Sequence, residues 1–166
     1  MRFDAATDYP VSATRVADML SNPEYVRRKV DASGALSSTT EVAPGAGGTF
    51  TVTTRRAMPT DQIPANFRRF VGSSIDVRFV EVWSAPDPDG RCTATITLEI
   101  LGAPARANVT AILVPVGVDA SRITYAGEVK VTVPLVGAPI ERAAVGAVQD
   151  ALDAERRVGL EWLSER

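Results

Sequence analysis

Two charged side chains occupy positions where strand alternation predicts an inward-facing residue. Arg56 continues the set Val52, Thr54, Arg56 and Met58, and Glu81 continues Val77, Phe79, Glu81 and Trp83. A charge against an apolar interior is costly unless paired. The two therefore either reach each other across neighbouring strands or leave a ligand to supply the partner; in the third case, a strand bulge turns one of them out to solvent. In a closed site, Arg56, Glu81 and Tyr125 have the chemistry for proton transfer or for stabilising a developing charge. Thr54 and Tyr125 could orient a polar group, although an ordinary core tyrosine with its hydroxyl at the rim accounts for Tyr125 as well.

Other chemistries are removed by composition. The chain has no histidine, which excludes Ser-His-Asp triads, Cys-His dyads and His-ligated zinc or iron sites. Cys92 is the sole cysteine, so it forms no intramolecular disulfide, and its strand-like neighbours suit a small core residue better than a nucleophile. Asp87-Pro88-Asp89-Gly90 lacks the spacing of a calcium loop and reads as a hairpin turn. Gly45, Gly47 and Gly48 are followed by a strand and by no Lys-Ser/Thr, which excludes a phosphate loop. No metal or cofactor is expected. With 18 Lys+Arg against 20 Asp+Glu, no nucleic-acid partner is expected either. Lys29 and Lys130 are the only lysines, a skew that reads as genomic composition. The N-terminus lacks the apolar stretch of a signal peptide and no segment reaches 18 consecutive apolar residues, so a cytoplasmic protein without stable membrane insertion is expected.

The elements that must position these residues follow from periodicity. A short strand at Phe3 to Thr7 precedes two helices. Ser12 can cap the first, which carries Val16, Met19 and Leu20; Asn22 and Pro23 open the second, which carries Tyr25, Val26 and Val30. From Leu36 to Pro134 the period is two. It gives strands at Leu36 to Ala43, Thr49 to Met58, Ile75 to Ser84, Arg91 to Leu101, Arg106 to Val116 and Arg122 to Val133, joined by short turns that imply an antiparallel meander. Between Pro59 and Ser74, Ile63, Phe67, Phe70 and Val71 lie at helical spacing, as expected of a short excursion whose aromatic residues cap a cavity or plug the end of the core. Arg68 and Arg69 beside it could draw an anionic head group or form a solvated face. A long helix from Gly137 to about Leu163 carries Ile140, Ala144, Ala147, Val148, Ala151 and Leu152 as one apolar stripe, extended by Val158 and Trp162, with Glu141, Asp150, Asp153 and Arg156 pointing elsewhere. At 166 residues the chain makes one domain, residues 1–166. The class is α+β, a curved antiparallel sheet of about seven strands covered by one long helix. Where that helix presents only alanines, a gap can remain beneath it.

This order of elements resembles the helix-grip fold of the superfamily containing START lipid-transfer domains, Bet v 1-like proteins and polyketide cyclases. More closely, Arg2-Phe3-Asp4-Ala5 with Asp8-Tyr9-Pro10-Val11, Pro23-Glu24-Tyr25-Val26, Arg68-Arg69-Phe70-Val71-Gly72 and Val133-Pro134-Leu135-Val136-Gly137 resemble an actinobacterial family filed as domain of unknown function 2505. The resemblance spans essentially the whole chain and carries no assigned chemistry. It implies a cavity between helix and sheet for a hydrophobic or amphipathic small molecule. The wall expected for it comprises Thr54, Arg56, Met58, Phe67, Phe70, Val77, Phe79, Glu81, Ile96, Leu98, Tyr125, Val129, Ala144 and Val148. Trp83 and Trp162 read as core. Three functions remain: a carrier or sensor of such a molecule without covalent chemistry; a cyclase- or aromatase-like enzyme using Arg56, Glu81 or Tyr125; and an interaction module with a filled core. Oligomeric state is left open.

Overall fold

A computed structural model of the chain describes residues 1–61, 63, 65–68 and 71–166, the side chains of Asn66 and Phe67 excepted. Strand β1 (Arg2–Tyr9) leads into helices α1 (Ala13–Leu20) and α2 (Pro23–Asp31), then strands β2 (Ser37–Pro44), β3 (Phe50–Pro59), the single turn α3 (Ala65–Arg68), β4 (Ser74–Trp83), β5 (Cys92–Ile100), β6 (Ala105–Pro115), β7 (Ser121–Val131) and helix α4 (Gly137–Ser164). The seven strands form one antiparallel sheet in the order β1-β7-β6-β5-β4-β3-β2. This is the helix-grip architecture. The elements agree with periodicity to within a residue or two at most ends, and among the described residues of the 59–74 excursion the helical part is α3. Phe70 and Arg69 lie outside the described residues, as does the side chain of Phe67.

β1 and β2 follow one another in sequence yet occupy opposite edges of the sheet, so α1 and α2 must cross its concave side to connect them. Both helices begin as local chemistry requires. The Ser12 side chain accepts from Arg15 N, and Asn22 Oδ1 accepts from Glu24 N at 2.9 Å with Pro23 in the first turn. Such caps contribute about 1 kcal/mol each. The crossing helices seal one end of the concave face: Val16, Met19, Leu20, Tyr25 and Val26 are buried in one cluster with Trp83, Leu113, Ile123 and Tyr9, and Val30 is buried as well.

Helix α4 closes the same end with its last two turns. Val158, Gly159, Trp162 and Leu163 are buried, and Gly159 is needed there because a Cβ would stand 2.8 Å from the Tyr9 ring. The helix lies mainly against β1, β7 and α2. Its N-terminal half behaves differently. Ile140, Ala144, Val148 and Leu152 are only half-buried, and Ala147 and Ala151, expected in the stripe, are exposed. The correction is one of helical phase: the inward line runs through Ala144, Val148, Leu152, Glu155, Gly159 and Trp162, rotated away from the two alanines. Glu141, expected to point elsewhere, accepts from Val131 N through Oε1 at 2.9 Å and fastens the start of α4 to the end of β7.

Candidate functional site

The register builds the concave wall row by row. Val52 of β3 stands opposite Glu81, Glu81 opposite Ile96, and Ile96 opposite Val109. The next row towards the open end is Thr54, Phe79, Leu98, Ala107 and Val129, and beyond it come Arg56, Val77 and Ile100. Arg56 and Glu81 do share the inward face, as alternation required. They are not opposite, however: four residues along β3 separate Arg56 from Val52, about 13 Å at the rise of an extended strand. No ion pair joins them.

Glu81 is paired instead with Lys29 of α2. Nζ of Lys29 donates to Glu81 Oε1 at 2.8 Å and to Glu155 Oε1 of α4 at 3.4 Å, while Trp83 Nε1 donates to Glu81 Oε2 at 3.2 Å. The Lys29 and Glu81 side chains are 6% and 9% exposed, so the pair is desolvated. Burial alone would raise the Glu81 carboxyl, but the Lys29 charge, the hydrogen bonds from Lys29 and Trp83, and the charge of Arg56 outweigh it and hold it below its ordinary value. Burial would likewise lower Lys29, and the charges of Glu155 and Glu81 outweigh it and raise it. The cluster links α2, β4 and α4, which are far apart in sequence. Replacing such a buried pair by apolar residues is often neutral in energy, whereas removing one partner alone is strongly destabilising.

Neither Lys29 nor Glu155 is among the candidates that the sequence pattern picks out. The signal for Lys29 was present: α2 buries Tyr25, Val26, Lys29 and Val30, a stripe with spacing three and four in which the lysine is the one charged member. Glu155 follows from the corrected phase of α4.

Three tyrosines flank the cluster. Tyr9, Tyr25 and Tyr125 are all buried, and burial, with the nearby Glu155 charge, raises each hydroxyl above its ordinary value. They are neutral phenols at any ordinary pH. The Tyr25 hydroxyl has no hydrogen-bond partner among the described residues; Tyr9 is its neighbour without meeting hydrogen-bond geometry. Removing an unsatisfied buried hydroxyl should cost nothing, so Tyr25→Phe is expected to be neutral or up to about 1 kcal/mol more stable in urea unfolding. A loss above about 1 kcal/mol would mean that a water or ligand normally completes that hydroxyl.

Arg56 occupies the third row. Its Nε donates to Thr54 Oγ1 at 3.3 Å and its guanidinium lies 4.3 Å from the centre of the Phe79 ring. Burial lowers its pKa against the attraction of Glu155 and Glu81, and it stays cationic. Around it Met58, Phe79, Ile96, Leu98 and Ile100 are half-buried, whereas Val77 and Val129 are buried. The wall residues Thr54, Arg56, Met58, Val77, Phe79, Glu81, Ile96, Leu98, Tyr125 and Val129 thus share one concave surface, with Ala144 and Val148 on the helix that spans it.

The outer face of the sheet is different. It carries two open depressions, of about 440 and 550 Å³, the larger lined by Asp4, Ala6, Thr110, Ile112, Thr124 and Ala126 among others. Cys92 is a buried core residue whose thiol is raised by burial. Asp87 Oδ1 accepts from Asp89 N and Arg91 N, which makes the acidic loop a hairpin turn. Arg68 donates to the carbonyl oxygens of Asp61 and Ile63 and so closes its own loop. Among the described residues no group of three or more Cys, Asp or Glu side chains is placed to hold a metal ion, and no helix is long and apolar enough to cross a membrane.

A long helix gripped by a curved seven-stranded antiparallel sheet defines the fold class, the helix grip. Solved structures of that class are similar over nearly the whole chain. A START superfamily protein from Mycobacterium smegmatis shares 14% identity, with 98% of each chain covered and a TM-score of 0.59. The Zhui aromatase/cyclase from Streptomyces sp. R1128 shares 9%, covering 100% of this chain and 94% of that one, at 0.64. Human STARD10 shares 16%, covering 99% of this chain and 66% of that one, at 0.62. These likenesses establish the fold. The chain belongs to the family described as "Protein of unknown function (DUF2505)", whose model matches residues 4–163. None of the curated proteins matches the sequence.

Proposed function

We propose that the protein binds and carries a hydrophobic or amphipathic small molecule on the concave face of the sheet, beneath the N-terminal half of α4. One observation carries this reading. Apolar side chains on both sides of that space, Met58, Phe79, Leu98 and Ile100 on the sheet and Ile140 and Val148 on the helix, remain partly exposed although they belong to inward faces. Apolar surface left uncovered on a concave wall marks a ligand site more often than a packing failure. At the sealed end the apolar faces of α1 and α2 and the Trp162 ring are buried, so the same sheet packs tightly where the sequence supplies the volume.

A neutral apolar fluorophore, N-phenyl-1-naphthylamine, tests the reading. It is expected to bind once per chain with enhanced emission. Leu98→Trp, which adds bulk in the centre of the second row, should weaken it at least tenfold while leaving thermal unfolding within a few degrees. No binding by the native protein, or equal binding by the variant, would remove the proposal.

A second reading, a cyclase- or aromatase-like enzyme, has in its favour the buried Lys29, Glu81 and tyrosine cluster and the fold shared with an aromatase/cyclase. Its expected residue Glu81 is ill suited to donate a proton. Both of its oxygens are occupied by donors and its pKa is depressed. The carrier reading is the better supported for that reason.

A further inference from the structure

The geometry points to an amphipathic monocarboxylate as the ligand class, with its carboxylate bound by the Arg56 fork and its apolar body along Met58, Phe79, Leu98 and Ile100. This inference rests on the carrier reading and specifies the ligand's polar end. It starts from the unequal distribution of charge in the site. Lys29 and Arg56 face Glu81 and Glu155, two charges of each sign, yet both carboxylates are spent on one cation: Lys29 takes Glu81 at 2.8 Å and Glu155 at 3.4 Å. Among the described residues Arg56 has no carboxylate within 4.0 Å, and of its five N–H groups one, on Nε, is hydrogen-bonded.

The remaining four N–H groups lie on the terminal nitrogens, where a guanidinium presents two parallel donors to a planar acceptor. Thr54 and the Phe79 ring hold the guanidinium in place, so little of its freedom is left to lose on binding. The neighbouring side chains Met58, Phe79, Leu98 and Ile100 are apolar, which favours a ligand bearing both a charge and a hydrocarbon body. The class of anion follows from the charge. Arg56 is a single cation without a contacting carboxylate among the described residues: a planar, singly charged carboxylate matches its parallel donors and neutralises it, whereas a phosphate dianion leaves one negative charge over. Planar, singly charged and amphipathic describes a fatty or aryl-alkyl acid.

Displacement of N-phenyl-1-naphthylamine at pH 8 tests it, with sodium decanoate and decan-1-ol as paired competitors and decyl phosphate as a third. In the native protein decanoate should compete at least tenfold better than decan-1-ol and better than decyl phosphate. In Arg56→Gln the acid-to-alcohol ratio should fall to about one, and in Arg56→Lys it should lie between the two. Equal competition by decanoate and decan-1-ol, a ratio unchanged in Arg56→Gln, or a preference for decyl phosphate would overturn the carboxylate assignment while the carrier reading stands. Failure of the fluorophore itself to bind would overturn both.

Discussion

Lys29→Met is expected to destabilise the protein by about 3–5 kcal/mol at pH 7, because removing one partner of a buried ion pair leaves the others desolvated and uncompensated. Lys29 is the shared donor to Glu81 and Glu155, so two carboxylates lose their counter-charge together. The double replacement Lys29→Met with Glu81→Leu should recover part of the loss, since it removes the more deeply buried of the two orphaned carboxylates while Glu155 and the Trp83 Nε1 donor stay unpaired. Urea unfolding at constant m-value measures both.

The pH dependence gives a second, independent signature. The folded-state pKa of Glu81 is depressed. Its contribution to stability is therefore fully present above the unfolded value of about 4.3 and is lost as the pH falls through the lower folded value. Lys29 is raised; its contribution is complete below about 10.4 and is lost as the pH rises through the higher folded value. The native protein should show a plateau between about pH 5 and about pH 10. In Lys29→Met the Glu81 carboxyl keeps its burial and loses its principal counter-charge, so its pKa rises and protonation relieves the penalty. The deficit of the variant should then shrink between pH 8 and pH 5. A deficit independent of pH, or one below about 1 kcal/mol, would show that the pair is solvated in solution.

This cluster also shows what could and could not be read from the chain. Period-two alternation assigns each strand residue to a face, and it placed Arg56 and Glu81 correctly on the concave wall. It carries no information about the offset between strands. Arg56 opposite Val77 and Glu81 opposite Val52 became visible only once the β3–β4 register was known, and with it the reason the two do not pair. The true partner of Glu81 lies on a helix more than fifty residues earlier, and Lys29 was hidden by being treated as a matter of composition. On α4 the long apolar run was legible, as was its end near Leu163, one residue short of the observed Ser164. Its phase was not, because alanines satisfy either a buried or an exposed position and so constrain the helix rotation weakly. Ala147 and Ala151 fell on the wrong side, and Glu155 was missed, for this one reason.

That division of α4 into a sealed end and a half-covered end makes the last prediction. Trp162 is 3% exposed, meets Tyr25 edge-on with ring centres 6.0 Å apart, and is overlaid by the guanidinium of Arg166 at 3.9 Å. Trp162→Ala should therefore cost about 3–5 kcal/mol, as for other large core aromatics. Val148→Ala, nearly three turns before Val158 and only half-buried, should cost less than about 1 kcal/mol. If the helix is anchored at one end in this way, amide hydrogens of residues 140–152 should exchange faster than those of residues 158–163. Saturation with a bound apolar molecule should slow the first group and leave the second nearly unchanged, because the ligand completes the packing that the N-terminal half lacks. Equal costs for the two substitutions, or uniform protection along the helix without ligand, would mean that the whole of α4 packs against the sheet in solution. In that case the concave face would have no room to bind anything.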